Sequence, residues 1–197
     1  MSKMHQLVDP AGAVETAVEH VTGILLVGGS SRRFGSPKAL ARFGDETLAE
    51  RAWRLLGASC DMRLAVGKRS DGLELPFPLL DDGSEVRAPI AGIVAGLRAS
   101  LGELAVVVPV DCPLLEADDL GALAAACADA AVPPTGPLPA ALRRTALPAF
   151  ERGLATGRLA LREALAELDV RVVELDPARL VNVNTPDELA ALRGRGV

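Results

Sequence analysis

Residues 22–38 read TGILLVGGSSRRFGSPK, and the fold turns on how this stretch divides. Its first six residues, 22–27, are apolar and are cut off by Gly28 and Gly29. So short a run ended by glycine predicts a buried strand rather than a helix. The next eleven residues, 28–38, hold three glycines, three serines, two arginines and a lysine. Ligands of open α/β sheets bind beyond the carboxyl ends of strands, so this loop stands where a cofactor or substrate belongs. Glycines let backbone N–H groups approach phosphate oxygens, and Arg and Lys supply opposing charge. The loop is phosphate-binding by its chemistry. It has neither the Gly-Lys-Ser/Thr of a Walker A loop nor the Gly-x-Gly-x-x-Gly spacing of a dinucleotide fingerprint, which removes the best evidence for a kinase or a dehydrogenase.

Outward from the loop, Thr47-Leu48-Ala49-Glu50 is a capping box. Leu48, Ala52, Leu55 and Leu56 then share one face of a helix of about two to three turns. Residues 63–66 (RLAV) and 76–80 (PFPLL) predict short strands, the second an edge or irregular one because proline cannot donate to a ladder. Pro89 starts a helix continued by Ile90, Ile93, Val94, Leu97 and Leu101. Residues 104–110 (LAVVVPV) are apolar on both faces and predict a central strand in a covered parallel sheet. Beyond them, 118–127 reads as a helix, 130–132 as a short strand and 133–139 (PPTGPLP) as a turn. Helices near 146–155 and 158–168 follow, then a last strand over 170–175. Thr185-Pro186-Asp187-Glu188 is a second capping box that opens a closing helix. Alternating strands and helices make this an α/β domain with a mostly parallel sheet over residues 21–197. Residues 1–20 read as an amino-terminal extension with no assigned chemistry.

Composition narrows the function classes. A chain of 197 residues, 49% hydrophobic and 24% charged, is one folded domain and not a disordered segment. With 3% aromatics and a net charge of −5, both the stacking platforms and the basic footprint of a nucleic-acid binder are missing. Cys60, Cys112 and Cys127 are odd in number and widely spaced, and His5 and His20 are the two histidines. Neither a disulfide framework nor a four-ligand zinc site is expected, and a reducing cytoplasm is the default location. No apolar run approaches the roughly 20 residues that cross a bilayer, so no membrane association is expected.

The loop resembles the signature of the nucleotidyltransferases of cofactor biosynthesis, L-A-G-G-x-S-x-R-M-G-x-x-K, and is most similar to that of the molybdenum cofactor guanylyltransferase family. Here it stands as LVGGSSRRFGSPK at 26–38. Three further stretches are similar to motifs of that family: VDCPLL at 110–115 to D-x-P-L, DGSEVRAPIAG at 82–92 to D…G-P-L-A-G, and VNVNTP at 181–186 to N-[IV]-N-T-P-E. Four motifs in order span about residues 21–190. Val27, Phe34 and Ala88 depart from the usual Ala, Met and Gly without removing a charged group. Gly67 stands where some members carry an Asn that touches the nucleotide.

The resemblance implies a Rossmann-like three-layer domain of the nucleotide-diphospho-sugar transferase kind. It also implies Mg²⁺-dependent transfer of GMP from GTP to molybdenum-bearing molybdopterin, with release of pyrophosphate. A molybdopterin cytidylyltransferase and a guanylyltransferase for another phosphorylated metabolite are alternatives within this class; a non-catalytic nucleotide-binding adaptor is one outside it. Molybdenum-insertion enzymes and molybdoenzyme chaperones are the implied protein partners. Residue by residue, Val27, Gly28, Gly29 and Ser30 would hold the nucleotide, Lys38 the α- and β-phosphates and Arg33 the outer phosphates. Asp111 could as well cap a turn as bind a metal on position alone, and the resemblance selects the Mg²⁺ ligand. Asp82 would contact the nucleoside or order its pocket, although Asp81-Asp82-Gly83 is also an ordinary turn sequence. Asn182 and Asn184 would bind the second substrate or the metal, or shape the turn into the closing helix. Arg143, with Arg144, is a candidate anchor for a second anionic substrate or else part of a solvated helix face. Cys112 has no histidine in its motif and reads as a small buried thiol.

Overall fold

Strand β1 (Val21–Leu26) is buried from Thr22 onward and anchors the molecule. The computed structural model describes residues 20–28 and 34–193; the extension before His20 lies outside the described residues, as do residues 29–33 of the loop. Successive side chains of a strand point to opposite faces, and β1 divides accordingly. Leu25 joins one hydrophobic core, while Ile24 and Leu26 join another across the sheet.

A short hairpin, β2 (Arg42–Phe43) and β3 (Glu46–Thr47), leads into α1 (Leu48–Ser59). Thr47 Oγ1 accepts from Glu50 N at 3.1 Å, and a Glu50 carboxylate oxygen accepts from Thr47 N at 2.7 Å. The expected capping box is thus closed in both directions, satisfying two donors that a helix start leaves unpaired. Strand β4 (Met62–Gly67) pairs in parallel with β1, and β5 (Leu79–Asp81) pairs in parallel with β4 as an edge strand. It begins after Pro76 and Pro78 rather than at Pro76, since neither proline offers an N–H to the ladder.

Helix α2 (Pro89–Ala99) starts on its proline and ends with Ser100, whose hydroxyl donates to Gly96 O at 2.9 Å. Leu101, expected on the helix face, falls beyond this end and is 85% exposed. Strand β6 (Leu104–Pro109) lies beside β1 in the middle of the sheet, as its apolar faces demanded. Helix α3 (Ala117–Ala126) and β7 (Ala130–Val132) follow.

Residues 140–143 correct the sequence reading. They form β8 (Ala140–Arg143), antiparallel to both β6 and β7. Ala, Leu and Arg favour helices, but burial of Ala140, Ala141 and Leu142 between two strands overrides that weak preference. Helices α4 (Leu147–Ala155) and α5 (Leu161–Leu165), strand β9 (Val170–Val172) and helix α6 (Pro186–Arg193) complete the chain. Both α5 and β9 are shorter than their sequence patterns.

Among the described residues the main sheet has seven strands in the order β5-β4-β1-β6-β8-β7-β9, and β8 alone runs against the rest. Helices α1, α3 and α6 pack on one face and α2, α4 and α5 on the other, which makes three layers. The chain runs outward from β1 through β4 to β5 and returns to β6. A topological switch point therefore opens between the carboxyl ends of β1 and β6, where α/β proteins place their ligands.

Candidate active site

Val27 N still donates to Val66 O at 3.0 Å, so the sheet runs on to the last residue before Gly28, which is exposed at the switch point. Across the crevice β6 continues through Val110 to Asp111, whose backbone carbonyl accepts from Val183 N at 2.8 Å. That bond stitches the asparagine-bearing segment before α6 to the end of the central strand. Lys38, the first residue of a short 3-10 turn behind Pro37, reaches into the gap. Its Nζ lies 3.3 Å from Asp111 Oδ2 and 3.2 Å from Asn184 Oδ1. Residues 38, 111 and 184, far apart in the chain, thus meet within one hydrogen-bonding radius.

The two asparagines are oriented by their neighbours. Asn184 Oδ1 accepts from Lys38, and its backbone N donates to Glu188 Oε2 at 2.6 Å. Thr185 Oγ1 accepts from Glu188 N at 3.2 Å as a cap should, but the Glu188 carboxylate reaches one residue past the cap. The expected second capping box is thereby used to position Asn184. Asn182 Oδ1 accepts from the Cys112 thiol at 2.9 Å. Each amide oxygen accepts one of these bonds, and the NH₂ groups are the donors left to a ligand. Burial, reinforced by the negative charge of Asp111, pushes the Cys112 thiol up to about 12, which keeps it a neutral hydrogen-bond donor and not a nucleophile.

Lys38, Asp111 and Asn182 line a cleft of about 420 Å³, walled by Leu26, Val27 and Gly28 on one side and by Thr135, Gly136, Pro137 and Leu138 on the other. The proline-rich turn, read from sequence only as a separator, is therefore one wall of the site. A smaller cavity of about 190 Å³ adjoins it, sharing Leu26, Gly28 and Pro89. Lys68 and Asp82 lie on its wall, with Nζ 2.9 Å from Asp82 Oδ1. Asp81 has the other role that the sequence allowed. It is exposed, and its carboxylate accepts from Arg69 N and Gly83 N, bonds that hold its carboxyl below the usual range. Both carboxylates bond the turn backbone, Asp82 to Ser84 N, but of the two Asp82 alone lines the cavity.

Of the residues singled out from sequence, Val27, Gly28, Lys38, Asp82, Asp111, Asn182 and Asn184 gather around these two connected spaces. Gly29, Ser30 and Arg33 lie outside the described residues. Arg143 does not belong to the group. It pairs with Leu104 at the start of β6, about seven residues of extended strand and roughly 20 Å from Asp111. Its neighbour Arg144 donates to Ser100 O at 2.7 Å on that same far end. The error follows from reading 140–144 as a segment leaving the turn, when β8 runs back down the sheet. Lys68 was missed, since a lysine beside Arg69 and Asp71 carries no sequence signal of burial.

A MobA-like NTP transferase domain matches residues 23–178. A probable molybdenum cofactor guanylyltransferase of Deinococcus radiodurans is 35% identical over 185 residues, covering 89% of this chain and 95% of that protein. A molybdenum cofactor guanylyltransferase of Burkholderia ambifaria is 33% identical over 197 residues, covering 89% and 96%. Among solved structures, the molybdopterin-guanine dinucleotide biosynthesis protein A of Archaeoglobus fulgidus superposes with a TM-score of 0.75 at 24% identity, covering 88% of this chain and 97% of that one. The 2-C-methyl-D-erythritol 4-phosphate cytidylyltransferase of Thermus thermophilus superposes at 0.69 and 19%, covering 87% and 96%. Likeness at such identities is a likeness of fold, and it is the three-layer fold expected.

Proposed function

This chain belongs to the MobA-like NTP transferase family and is a nucleotidyltransferase, and on that premise we propose that it transfers GMP from GTP to molybdenum-bearing molybdopterin, releasing pyrophosphate. The observation that carries the reading is the meeting of Lys38, Asp111 and Asn184 beside Gly28 at the switch point. In this reading the triphosphate lies in the larger cleft and the base enters the smaller cavity. Residues 21–197 form the catalytic domain.

An oxygen of the acceptor's phosphate attacks the α-phosphorus of GTP. The new P–O bond forms as the bond to the β-phosphate bridging oxygen breaks, and that electron pair leaves on pyrophosphate. The attacking oxygen is already anionic, so no strong general base is needed, in keeping with a cleft that has no histidine among its described lining residues. Positioning and charge neutralisation do the work. Lys38, bonded to Asp111 and Asn184, turns its ammonium to the α- and β-phosphate oxygens, where charge-assisted bonds are short and strong. Arg33 and the backbone around Gly28, Gly29 and Ser30 take the remaining phosphate oxygens. Asn182 and Asn184 present amide N–H groups to the acceptor.

Asp111 suits a Mg²⁺ ion. Among the described residues no three His, Cys, Asp or Glu side chains converge on a metal-sized space. Mg²⁺ is typically held by one or two carboxylates together with substrate phosphates and water, which is what a lone Asp111 beside a triphosphate cleft offers. Bound there, Mg²⁺ supplies neutralisation of the phosphate charge that grows as pyrophosphate departs.

The test is an assay of the purified protein with molybdenum-bearing molybdopterin and GTP, CTP or ATP, with and without Mg²⁺, following pyrophosphate release and the guanylylated product. Turnover with GTP that is lost on removing divalent cations supports the reading. A preference for CTP sinks it.

A further inference from the structure

Gly67 stands where some members of the resembled family carry an Asn that touches the nucleotide, and a side chain here would be crowded. A Cβ at Gly67 would lie 2.9 Å from Val27 Cγ2 and 3.3 Å from the backbone N of Gly28. The next residue supplies the polar group instead. Lys68 is 8% exposed, and its Nζ lies 2.9 and 3.2 Å from the two carboxylate oxygens of Asp82 and also donates to the Ser84 carbonyl. Lysine is rarely so buried, and a buried ion pair contributes little net stability once desolvation is counted. The pair faces the smaller cavity, between Leu26, Gly28 and Gly92.

Bond counting shows what this wall can read. An ammonium has three N–H donors and no acceptor. The two Asp82 oxygens and the Ser84 carbonyl engage all three, and the contact to Oδ2, the longer of the two carboxylate bonds at 3.2 Å, is the one a base oxygen would take over. Asp82 Oδ1 accepts from Lys68 and from Ser84 N at 2.9 Å, whereas Oδ2 receives only the longer Lys68 contact among these bonds. The wall therefore sets a group that can only donate beside one that can only accept. Guanine offers the complement: an acceptor at O6 beside donors at N1–H and the 2-amino group. Adenine reverses both, with a donor at the 6-amino group beside an acceptor at N1, and cytosine does the same at its 4-amino group and N3.

We propose that Lys68 is a specificity-determining residue which, paired with Asp82, selects a 6-oxopurine over a 6-aminopurine nucleotide. This rests on the reading above, in which the nucleoside enters the smaller cavity. Sites that hydrogen-bond a base edge reject the mismatched analogue strongly, because their own buried groups are then left unpaired.

The test measures Kd by calorimetry for GTP, ITP, ATP and the 2,6-diaminopurine ribonucleoside triphosphate, which keeps the 2-amino group of GTP and replaces the 6-oxo group. The proteins are wild type, Lys68→Met and the double variant Lys68→Gln/Asp82→Asn. Wild type is expected to bind GTP and ITP well ahead of the two 6-amino nucleotides. In Lys68→Met the preference for GTP over the diaminopurine analogue drops at least about tenfold. That variant leaves Asp82 unpaired and can lose stability. The double variant restores a neutral hydrogen-bonded pair and the Tm, yet stays unselective, because an amide presents a donor and an acceptor alike. Selectivity unchanged in the folded double variant, or absent in wild type, overturns the proposal. Selective binding without any guanylyl transfer would instead overturn the proposed reaction and leave the role of Lys68 standing.

Discussion

At the scale of single residues, Lys38 and Asp111 carry the most consequence for the least structure. Their side chains are 14% and 28% exposed and meet at 3.3 Å, so water screens the pair and its contribution to stability is small, about 1 kcal/mol at most. Lys38→Ala is therefore expected to leave Tm nearly unchanged while kcat/KM falls about 10²- to 10³-fold, the effect of deleting one preorganised donor to a developing charge. Asp111→Asn keeps the shape and a contact to Lys38 but loses the charge. Turnover is expected to fall by about 10²-fold or more with the circular dichroism melt preserved. Wild-type kcat in that variant removes Asp111 from the metal. Motif spacing pointed to both residues, but only the folded chain put Asn184 within 3.2 Å of the same ammonium.

At the scale of elements, the legible parts were those whose local chemistry and tertiary setting agree. The Thr47 box and the proline start of α2 were readable because capping is a matter of three or four consecutive residues. β8 was not, because its strand state comes from partners 33 to 39 residues away in β6 and not from its alanines. The contact between α2 and β1 belongs to the same class. A Cβ at Gly96 would come within 2.8 Å of Ile24 Cγ2 and Cδ1, and both of those atoms belong to a fully buried side chain. Alanine favours the helix by about 1 kcal/mol over glycine, but overpacking a buried contact costs about 1–3 kcal/mol. Gly96→Ala is expected to destabilise the protein by about 1 kcal/mol in urea unfolding. A higher midpoint than wild type would show that α2 can withdraw from the sheet without cost.

At the scale of the whole molecule, one sheet is shared by two helical layers, so unfolding exposes both cores together. Two thiols of the core under α1, α3 and α6, Cys60 and Cys112, report the transition. Burial pushes Cys60 up to about 11 and Cys112 up to about 12, and the carboxylates of Asp61 and Asp111 add to the effect. A thiol whose folded value is raised contributes stability in full below its unfolded value near 9, and loses it as pH climbs toward the folded value. The urea midpoint, followed by the fluorescence of Trp53, which stacks on Phe77 at 4.3 Å, is expected to fall between pH 7.5 and 10.5. Cys60→Ala/Cys112→Ala should flatten that fall; an equal slope would assign it to other groups. The acidic total of −5 belongs to the same scale, since it describes the surface and says little of a cleft that holds Lys38. Taken across these scales, the α/β alternation, the starts of α1 and α2 and the family were all present in the chain as written. Each depends on short-range pattern: period, caps, glycine and charge within a dozen residues. The reversal of β8, the removal of Arg143 from the site, the choice of Asp82 over Asp81 and the burial of Lys68 were decided by tertiary structure. All four depend on which end of the sheet a residue reaches and on what packs over it, and that is settled by strand pairings between distant residues.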